Sequence, residues 1–198
     1  MQEPGKNWSD SVNAVHIERR VDLDERQRVA EMSPEEMRRL LLTSEVTGLP
    51  NRRAFDEAGT APAVAMSDLD GLKALNDCYG YEVGNDFLRS KADALREVGL
   101  NAYHDKGDEF LCRGNDANEL IEKLECARAI LRNRIVVVEG ISGILRLTGG
   151  DFSYGVGNDL DEAEGRLKRH KADREARGEI ERGKLCGIKS NTEKTGSP

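Results

Sequence analysis

Two carboxylates separated by one residue, Asp68 and Asp70, follow a short apolar run at 63–66 and precede a helical segment that begins near Leu72. An apolar run of this length predicts a buried strand. Carboxylates at the end of such a strand supply the hard oxygen ligands that Mg²⁺ prefers, and Mg²⁺ usually keeps substrate phosphates in its shell. Taken alone, the pattern fits a helix cap equally well, so the metal site and the cap both stay open at this point.

The residues after the two carboxylates favour a phosphate ligand. Gly71 and Leu72 stand at the start of the predicted helix, where free backbone N–H groups and the helix dipole attract polyphosphates. Lys73 adds a positive point charge in the same turn. We therefore expect a phosphate-binding turn beside the predicted metal ligands.

A second group of polar residues occupies a predicted hairpin between strands at 101–104 and 109–112. Its sequence is Lys106-Gly107-Asp108-Glu109-Phe110. An Asp-Glu pair at a hairpin tip is ordinarily a solvated turn. Gly107 allows a positive φ or a close backbone approach to a ligand, and Phe110 is expected to anchor the turn in the core.

Helices and strands alternate around these two groups. The predicted helices cover 51–58, 72–78, 86–98, 115–131 and 160–177, and the predicted strands cover 63–66, 101–104, 109–112, 135–138, 144–147 and 151–157. This order predicts an α/β fold of the α+β sandwich type, in which helices flank a mostly antiparallel sheet.

Both ends of the chain differ in character from the middle. Residues 1–32 are polar and predict an arm or lead-in helix, and Ser33-Pro34-Glu35-Glu36 has the features of a helix start, so 33–46 is predicted as a connecting helix. The main domain is expected over 47–180. Residues 181–198 are predicted to be a flexible tail.

Composition narrows the possible functions. The net charge of −7 over 198 residues argues against a general nucleic-acid binder, because neutralising phosphates needs an excess of Lys and Arg. The four cysteines and three histidines are scattered, which argues against a zinc site. No apolar stretch approaches the ~18 residues that span a bilayer, so we expect a cytoplasmic protein without a membrane partner.

Taken together, the motifs resemble the GGDEF family of diguanylate cyclases. The similarity covers 36–178 in family order and rests on Thr47-Gly48-Leu49-Pro50-Asn51-Arg52-Arg53-Ala54-Phe55, Asp68-Leu69-Asp70-Gly71-Leu72-Lys73, Asn76-Asp77, Gly84-Asn85, Lys106-Gly107-Asp108-Glu109-Phe110 and Phe152-Ser153-Tyr154-Gly155-Val156-Gly157. The resemblance implies a palm fold similar to that of adenylyl cyclases. It also implies a homodimer that condenses two GTP into cyclic di-GMP and two pyrophosphates.

The resemblance assigns roles to particular residues. It implies two Mg²⁺ (or Mn²⁺) ions per active site, held by Asp68, the carbonyl of Leu69 and Asp108, with Glu109 completing the shell or deprotonating the 3′-hydroxyl. The implied nucleotide-binding residues are Gly71, Leu72, Lys73, Asn76, Asn85, Gly107, Lys171 and Arg174. Among these, Lys73 and Lys171 are expected on the phosphates and Asn76 on the base.

Three positions depart from the family pattern. Lys106 stands where the first signature glycine is usual, and we expect its side chain to point to solvent. Asn85 replaces an aspartate that reads guanine, and an amide satisfies only half of that base edge. Glu175 stands where a phosphate-binding arginine is common, and Arg174 and Arg177 are both open as substitutes, although neither occupies the matching position.

The departures leave three functions open. The first is an active cyclase that uses GTP. The second is a catalytically inactive module that binds GTP or a dinucleotide. The third is a cyclase that accepts ATP beside GTP. Residues 1–46 are expected to contact a sensory or other protein partner.

Overall fold

A computed structural model of the protein describes residues 31–140, 143–181, 184 and 188–193. The chain divides into two compact units, Met1–Leu41 and Leu42–Pro198. The arm predicted over 1–32 lies almost entirely outside the described residues.

The first described helix, α1 (Pro34–Leu42), begins as the sequence predicts. The Ser33 backbone N–H and hydroxyl donate to the Glu36 carboxylate at 2.9 and 3.0 Å, and the Glu36 N–H donates to the Ser33 hydroxyl. This reciprocal pair is a capping box. The helix ends earlier than the predicted 46, because Thr43 and Pro50 pair as a bridge around a turn.

An antiparallel sheet of four strands forms the centre of the second unit. Its strands are β1 (Ala63–Leu69), β2 (Asn101–Lys106), β3 (Glu109–Gly114) and β6 (Phe152–Gly157), in the order β2-β3-β1-β6. The register places Asp68, near the end of β1, opposite Glu109 on β3 and Ser153 on β6. The sheet therefore brings the first carboxylate motif directly beside the signature hairpin.

Helices cover both faces of this sheet. They are α2 (Arg52–Glu57), α3 (Leu72–Tyr79), α4 (Tyr81–Glu97), α5 (Ala117–Asn133) and α6 (Leu160–Ala176). Ala65 on β1 belongs to a large core with side chains of α4 and α5, whereas Val64 and Met66 belong to a smaller core with Leu167 of α6. Because alternate residues of β1 are buried on opposite faces, the strand reads as a continuous apolar run.

A close contact fixes α6 against the edge strand β6. A Cβ on Gly155 would lie 2.1 Å from the Ala163 carbonyl oxygen and 2.2 Å from the Leu167 nitrogen. Only glycine fits there without displacing the helix backbone. This packing holds α6 near enough to the sheet for its later residues to reach the end of β1.

A second antiparallel sheet contains β4 (Val136–Gly140), β5 (Gly143–Thr148) and β7 (Lys189–Glu193), in the order β4-β5-β7. The flexible tail predicted over 181–198 is therefore wrong for 189–193, because these residues pair with β5. The sequence of β7 has no apolar alternation, so its pairing is not visible in the pattern. Among the described helices, none is long and apolar enough to cross a bilayer.

A buried ion-pair network joins the end of β1 to α5 and α6. The Arg174 side chain is 2% exposed and contacts Asp70 at 2.5 Å and Asp151 at 2.6 Å. Arg128 on α5 contacts the other Asp151 oxygen at 3.0 Å. Burial raises the pKa of Asp151, but hydrogen bonds from Arg128 and Arg132 outweigh it, so the pKa lies below its ordinary value. The network therefore stabilises the fold as long as Asp151 is ionised.

We expect Asp151→Asn to lower the free energy of unfolding by about 2–3 kcal/mol at pH 7, because the buried Arg128 and Arg174 lose a shared carboxylate and keep only their other acidic partners. The folded pKa of Asp151 is lowered, so this contribution is fully present above the unfolded value of about 3.9 and is lost as the pH falls through the folded value. Urea denaturation between pH 3 and pH 7 measures the difference.

Asp93→Asn is the matched control, because Asp93 is 53% exposed and pairs with Arg96 on the surface of α4. Its expected effect is below about 1 kcal/mol. An Asp151→Asn penalty that stays constant down to pH 3 would contradict the assignment of the stability to the ionised carboxylate.

Candidate active site

Sheet register and one hydrogen bond place Asp68 and Asp108 side by side. The Leu69 N–H donates to the Asp108 carbonyl at 3.0 Å, so the hairpin loop closes against the last residue of β1. Gly107 has a φ of 53°, a conformation that glycine adopts without strain. The structure thus brings together the two carboxylates that sequence analysis assigned to the metal.

These carboxylates open into a cavity of about 280 Å³. Its lining consists of Asp68, Leu69, Asp70, Gly71, Leu72, Lys73, Ala74, Asp108, Lys171, Glu175, Ile180 and Glu181. The lining therefore holds five carboxylates and two lysines. Because like charges repel strongly at short range, a triphosphate enters this cavity favourably only together with cations.

Lys171 of α6 is the direct counter-ion of Asp68. Its ammonium nitrogen lies 2.6 Å from a carboxylate oxygen of Asp68. Burial raises the pKa of Asp68, the Lys171 hydrogen bond lowers it, and the charge of Asp108 raises it, with a net increase. A metal ion at Asp68 would have to displace this ammonium, which would then be free to contact a phosphate.

The donor set fits a magnesium-type ion. Asp68, Leu69 and Asp108 all line one cavity, and the donor atoms predicted from them are all oxygens. Within the part of the chain that the structure describes, no group of three or more His, Cys, Asp or Glu side chains is arranged to hold a metal. Mg²⁺ typically binds through one or two carboxylates and takes its remaining ligands from water and phosphates, so two carboxylates suffice.

Glu109 lies on the other side of the hairpin. It lines a neighbouring depression of about 380 Å³, which shares Asp68 and Lys171 with the first cavity. Its carboxylate is 3.7 Å from Lys106, whose side chain is 76% exposed. Lys106 therefore points to solvent as expected, and a metal or 3′-hydroxyl role for Glu109 stays a prediction.

The turn predicted to bind phosphate lies at the start of α3. Gly71 has a φ of 77° and precedes α3 without a side-chain cap on the helix. Leu72 and Lys73 follow in the first turn and line the same cavity as Asp68. A helix N-terminus of this kind has free backbone N–H groups that suit a polyphosphate, and phosphate binding here stays a prediction.

The two asparagines predicted to read the base lie on α3 and α4, outside the lining of the carboxylate cavity. The Asn76 side-chain oxygen is buried and has no hydrogen-bond partner among the described residues. A Cβ on Gly84 would lie 1.9 Å from this oxygen, so Gly84 makes room for Asn76. Asn85 is half-buried in the next position of α4. A buried acceptor without a partner is costly, which fits a ligand that donates to Asn76.

Arg174 lies elsewhere than the predicted phosphate-binding position. Its nitrogen atoms donate to Asp70, Ser153, Asp151 and Glu179 in the buried network. It lines a different cavity, of about 470 Å³. A phosphate role for Arg174 stays a prediction, and it would require some of these ion pairs to break.

Lys91 is not among the residues predicted from the sequence, and it lies directly beneath the site. Lys91 is 0% exposed. Its ammonium lies 3.4 Å from the Asp108 carbonyl oxygen, 4.2 Å from the centre of the Phe110 ring and 4.9 Å from that of Phe152. Burial lowers the pKa of Lys91 to about 8. Its place on the apolar face of α4, four residues after Phe87, is the sequence signal that could have found it.

His104 is a second residue that sequence analysis did not assign. One ring nitrogen lies 2.7 Å from the Ser44 hydroxyl, and the other lies 3.0 Å from the Gly107 carbonyl. Its ring stacks on Phe110 with centroids 4.7 Å apart. His104 therefore ties the hairpin loop to the turn that follows α1.

Comparisons with known proteins show what part of the chain resembles. Residues 42–133 match the family described as diguanylate cyclase, GGDEF domain. The chain is 39% identical over 79 residues to diguanylate cyclase VdcA of Vibrio cholerae, covering 35% of this chain and 23% of that protein. It is 29% identical over 129 residues to cyclic di-GMP phosphodiesterase PdeR of Escherichia coli, covering 58% and 18%. The chain thus spans less than a quarter of the length of either relative.

Solved structures agree in fold. Diguanylate cyclase SiaD of Pseudomonas aeruginosa, in complex with its activator SiaC, is 22% identical with a TM-score of 0.55, covering 83% of this chain and 78% of that one. The coiled coil and GGDEF domain of DgcB from Caulobacter crescentus, in complex with c-di-GMP, is 22% identical with a TM-score of 0.53, covering 85% and 95%. The predicted palm-type α+β class is confirmed, and residues 42–133 are similar to GGDEF domains.

We expect Lys171→Met to raise the pKa of Asp68 further, because burial and the charge of Asp108 then act without the nearby ammonium. Carboxyl NMR titration of the metal-free protein measures this pKa. Lys168→Met is the control, because Lys168 lies one turn earlier on α6, is 72% exposed and pairs with Glu164. An unchanged pKa in Lys171→Met would contradict the Lys171–Asp68 pair.

Proposed function

We propose that the protein is a nucleotidyl cyclase that condenses two GTP into cyclic di-GMP and two pyrophosphates across a homodimer. The observation that carries the proposal is one cavity whose lining brings Asp68, Leu69 and Asp108 beside a helix N-terminus and two lysines. The match of residues 42–133 to the GGDEF domain supports this interpretation of the cavity. The matched relative VdcA is itself a diguanylate cyclase.

The residues of the cavity divide into two groups by charge. Asp68, Asp108 and the Leu69 carbonyl would hold two Mg²⁺ or Mn²⁺ ions, which when bound would activate the attacking oxygen and stabilise the leaving pyrophosphate. Lys73 and the amides of Gly71 and Leu72 would grip the β- and γ-phosphates. Lys171 would move from Asp68 to the same phosphates as the metal arrives.

The chemistry requires two protomers. Each presents one GTP, and the 3′-oxygen of one nucleotide attacks the α-phosphorus of the other. A new P–O bond forms, the bond to pyrophosphate breaks, and the hydroxyl proton leaves, with Glu109 as a candidate acceptor. Two such attacks close the ring. Holding both nucleotides face to face contributes the proximity that the reaction needs, and residues 1–46 are where a regulatory partner would act.

A second candidate function is an inactive module that binds GTP or a dinucleotide. Glu175 and Glu181 line the cavity, and no arginine does so among the described residues. Triphosphate binding is therefore weaker than with an arginine at position 175. The chain is also similar to PdeR, which is named a cyclic di-GMP phosphodiesterase and not a cyclase. Sequence similarity at this level therefore does not by itself imply cyclase activity.

The test incubates the purified protein with Mg²⁺ or Mn²⁺ and each nucleoside triphosphate, singly and in pairs, and identifies products by mass. We expect cyclic di-GMP and pyrophosphate from GTP. Asp68→Ala and Asp108→Ala should each abolish turnover while leaving the fold intact, and Asp93→Ala on the surface of α4 should leave turnover unchanged. Nucleotide binding without any product would favour the inactive module, and full activity of either site variant would refute the metal assignment.

Base preference gives an independent test. In guanine, N1–H and the N2 amino group both donate, and the amide of Asn85 offers only one acceptor. We expect Asn85→Asp to raise GTP turnover by roughly tenfold, about the value of one restored hydrogen bond, and to lower any use of ATP. Asn101→Asp, an exposed change at the start of β2, is the control for added negative charge. An unchanged ratio of GTP to ATP use would show that the base is read without Asn85.

A further inference from the structure

Lys91 is a buried cation that the proposed reaction does not use. Its ammonium lies between two aromatic faces, and its one hydrogen bond in the described part of the chain goes to the carbonyl of Asp108. Aromatic faces and a single carbonyl replace only part of the water that an ammonium loses on burial. Apolar packing alone would be served better by a residue such as methionine, so the charge itself needs an explanation.

The charges around Lys91 supply that explanation. Asp68, Asp70 and Asp108 all act electrostatically on its ammonium. Asp70 pairs with the buried Arg174 and Asp68 with the partly exposed Lys171, so Lys91 is a second cation beside Asp68 and also acts on Asp108. In a buried environment, charges several ångströms apart interact strongly and are little screened by salt.

Lys91 differs from Lys171 in its freedom to move. The Lys171 side chain is 32% exposed and can leave Asp68 when a metal ion arrives. Lys91 is enclosed between Phe110, Phe152 and the hairpin backbone, so its charge stays where it is. A fixed positive charge next to two metal-binding carboxylates repels any second cation.

We propose that Lys91 is a fixed counter-ion of the Asp68–Asp108 pair and sets how tightly that pair holds a divalent cation. This inference rests on the proposed metal site and assigns Lys91 as a positioning residue. It partly neutralises the carboxylates when no metal is present and opposes metal binding without nucleotide. The negative charge of a triphosphate offsets the repulsion, so the ion and the nucleotide bind together more tightly than either binds alone.

The test measures Mn²⁺ binding to the nucleotide-free protein by electron paramagnetic resonance at pH 7. Lys91→Met keeps the side-chain length and removes the charge, and Lys91→Gln removes the charge but keeps a donor for Asp108. We expect both variants to bind Mn²⁺ about tenfold more tightly than the natural protein. The difference should persist in 0.5 M salt, because the charge is buried.

Lys123→Met is the control, because Lys123 on α5 pairs with Glu119 at the surface. It should leave Mn²⁺ affinity within about twofold of the natural value at that salt concentration. A second readout is the rise in melting temperature caused by Mn²⁺, which should be larger in Lys91→Met than in the natural protein.

Any other result would contradict the proposed role of Lys91. Unchanged Mn²⁺ affinity in both variants would mean that Lys91 does not act on the carboxylates. Weaker Mn²⁺ binding would mean that Lys91 only supports the conformation of the hairpin. Failure of both variants to fold would assign Lys91 to the core instead. If neither the natural protein nor any variant binds Mn²⁺, the proposed metal site itself is wrong. If the natural protein and the Lys91 variants bind Mn²⁺ equally well, the metal site stands and only the role of Lys91 is wrong.

Discussion

Repulsion among carboxylates is the constraint that organises this end of the sheet. Asp68, Asp70 and Asp108 meet where β1 ends and the hairpin loop closes against it. Three like charges in a partly buried place are unfavourable unless cations lie nearby. The fold supplies these cations from different elements: Arg174 and Lys171 from α6 and Lys91 from α4. Much of the packing around the site serves to bring them there.

The Asp-x-Asp pattern divides between two tasks. Asp68 faces the cavity and has a counter-ion that is partly exposed and able to leave. Asp70 has a counter-ion that is buried, and the Ser153 hydroxyl also donates to it at 2.9 Å. A carboxylate with a permanent partner stabilises the fold, whereas one with a removable partner is available for chemistry. Sequence analysis left a cap and a metal ligand as alternatives, and the structure gives Asp70 a structural role that is neither.

Much of the fold could be predicted because its signals are local. The apolar run of β1, the hairpin and the helix at 160–176 all follow from periodicity and turn residues. α4 begins at Tyr81 rather than at 86, because Gly80, with a φ of 90°, ends one helix and allows the next to start at once. β7 was missed because its polar sequence gains its structure from backbone pairing with β5.

The site was predictable as far as it resembles a family, and less so where single residues depart from it. Asp68, Leu69, Asp108, Lys73 and Lys171 converge on one cavity, whereas Arg174 turns into the ion-pair network. Spacing along the helix cannot show which charged side chain lines the cavity and which is buried in the network. α6 carries charged residues on every face, and only packing against β6 determines which of them are buried.

Lys91 is a residue whose role could not be predicted from the sequence at all. Its position on α4 is one that an apolar residue would fill, and only the three-dimensional arrangement reveals that carboxylates lie within reach of its charge. Natural proteins retain such costly groups mainly where function needs them. Burying the charge of Lys91 lowers the stability of the fold. In return, as proposed above, the charge controls when the site accepts a cation. That trade is consistent with a domain whose chemistry should begin only after the nucleotide is in place.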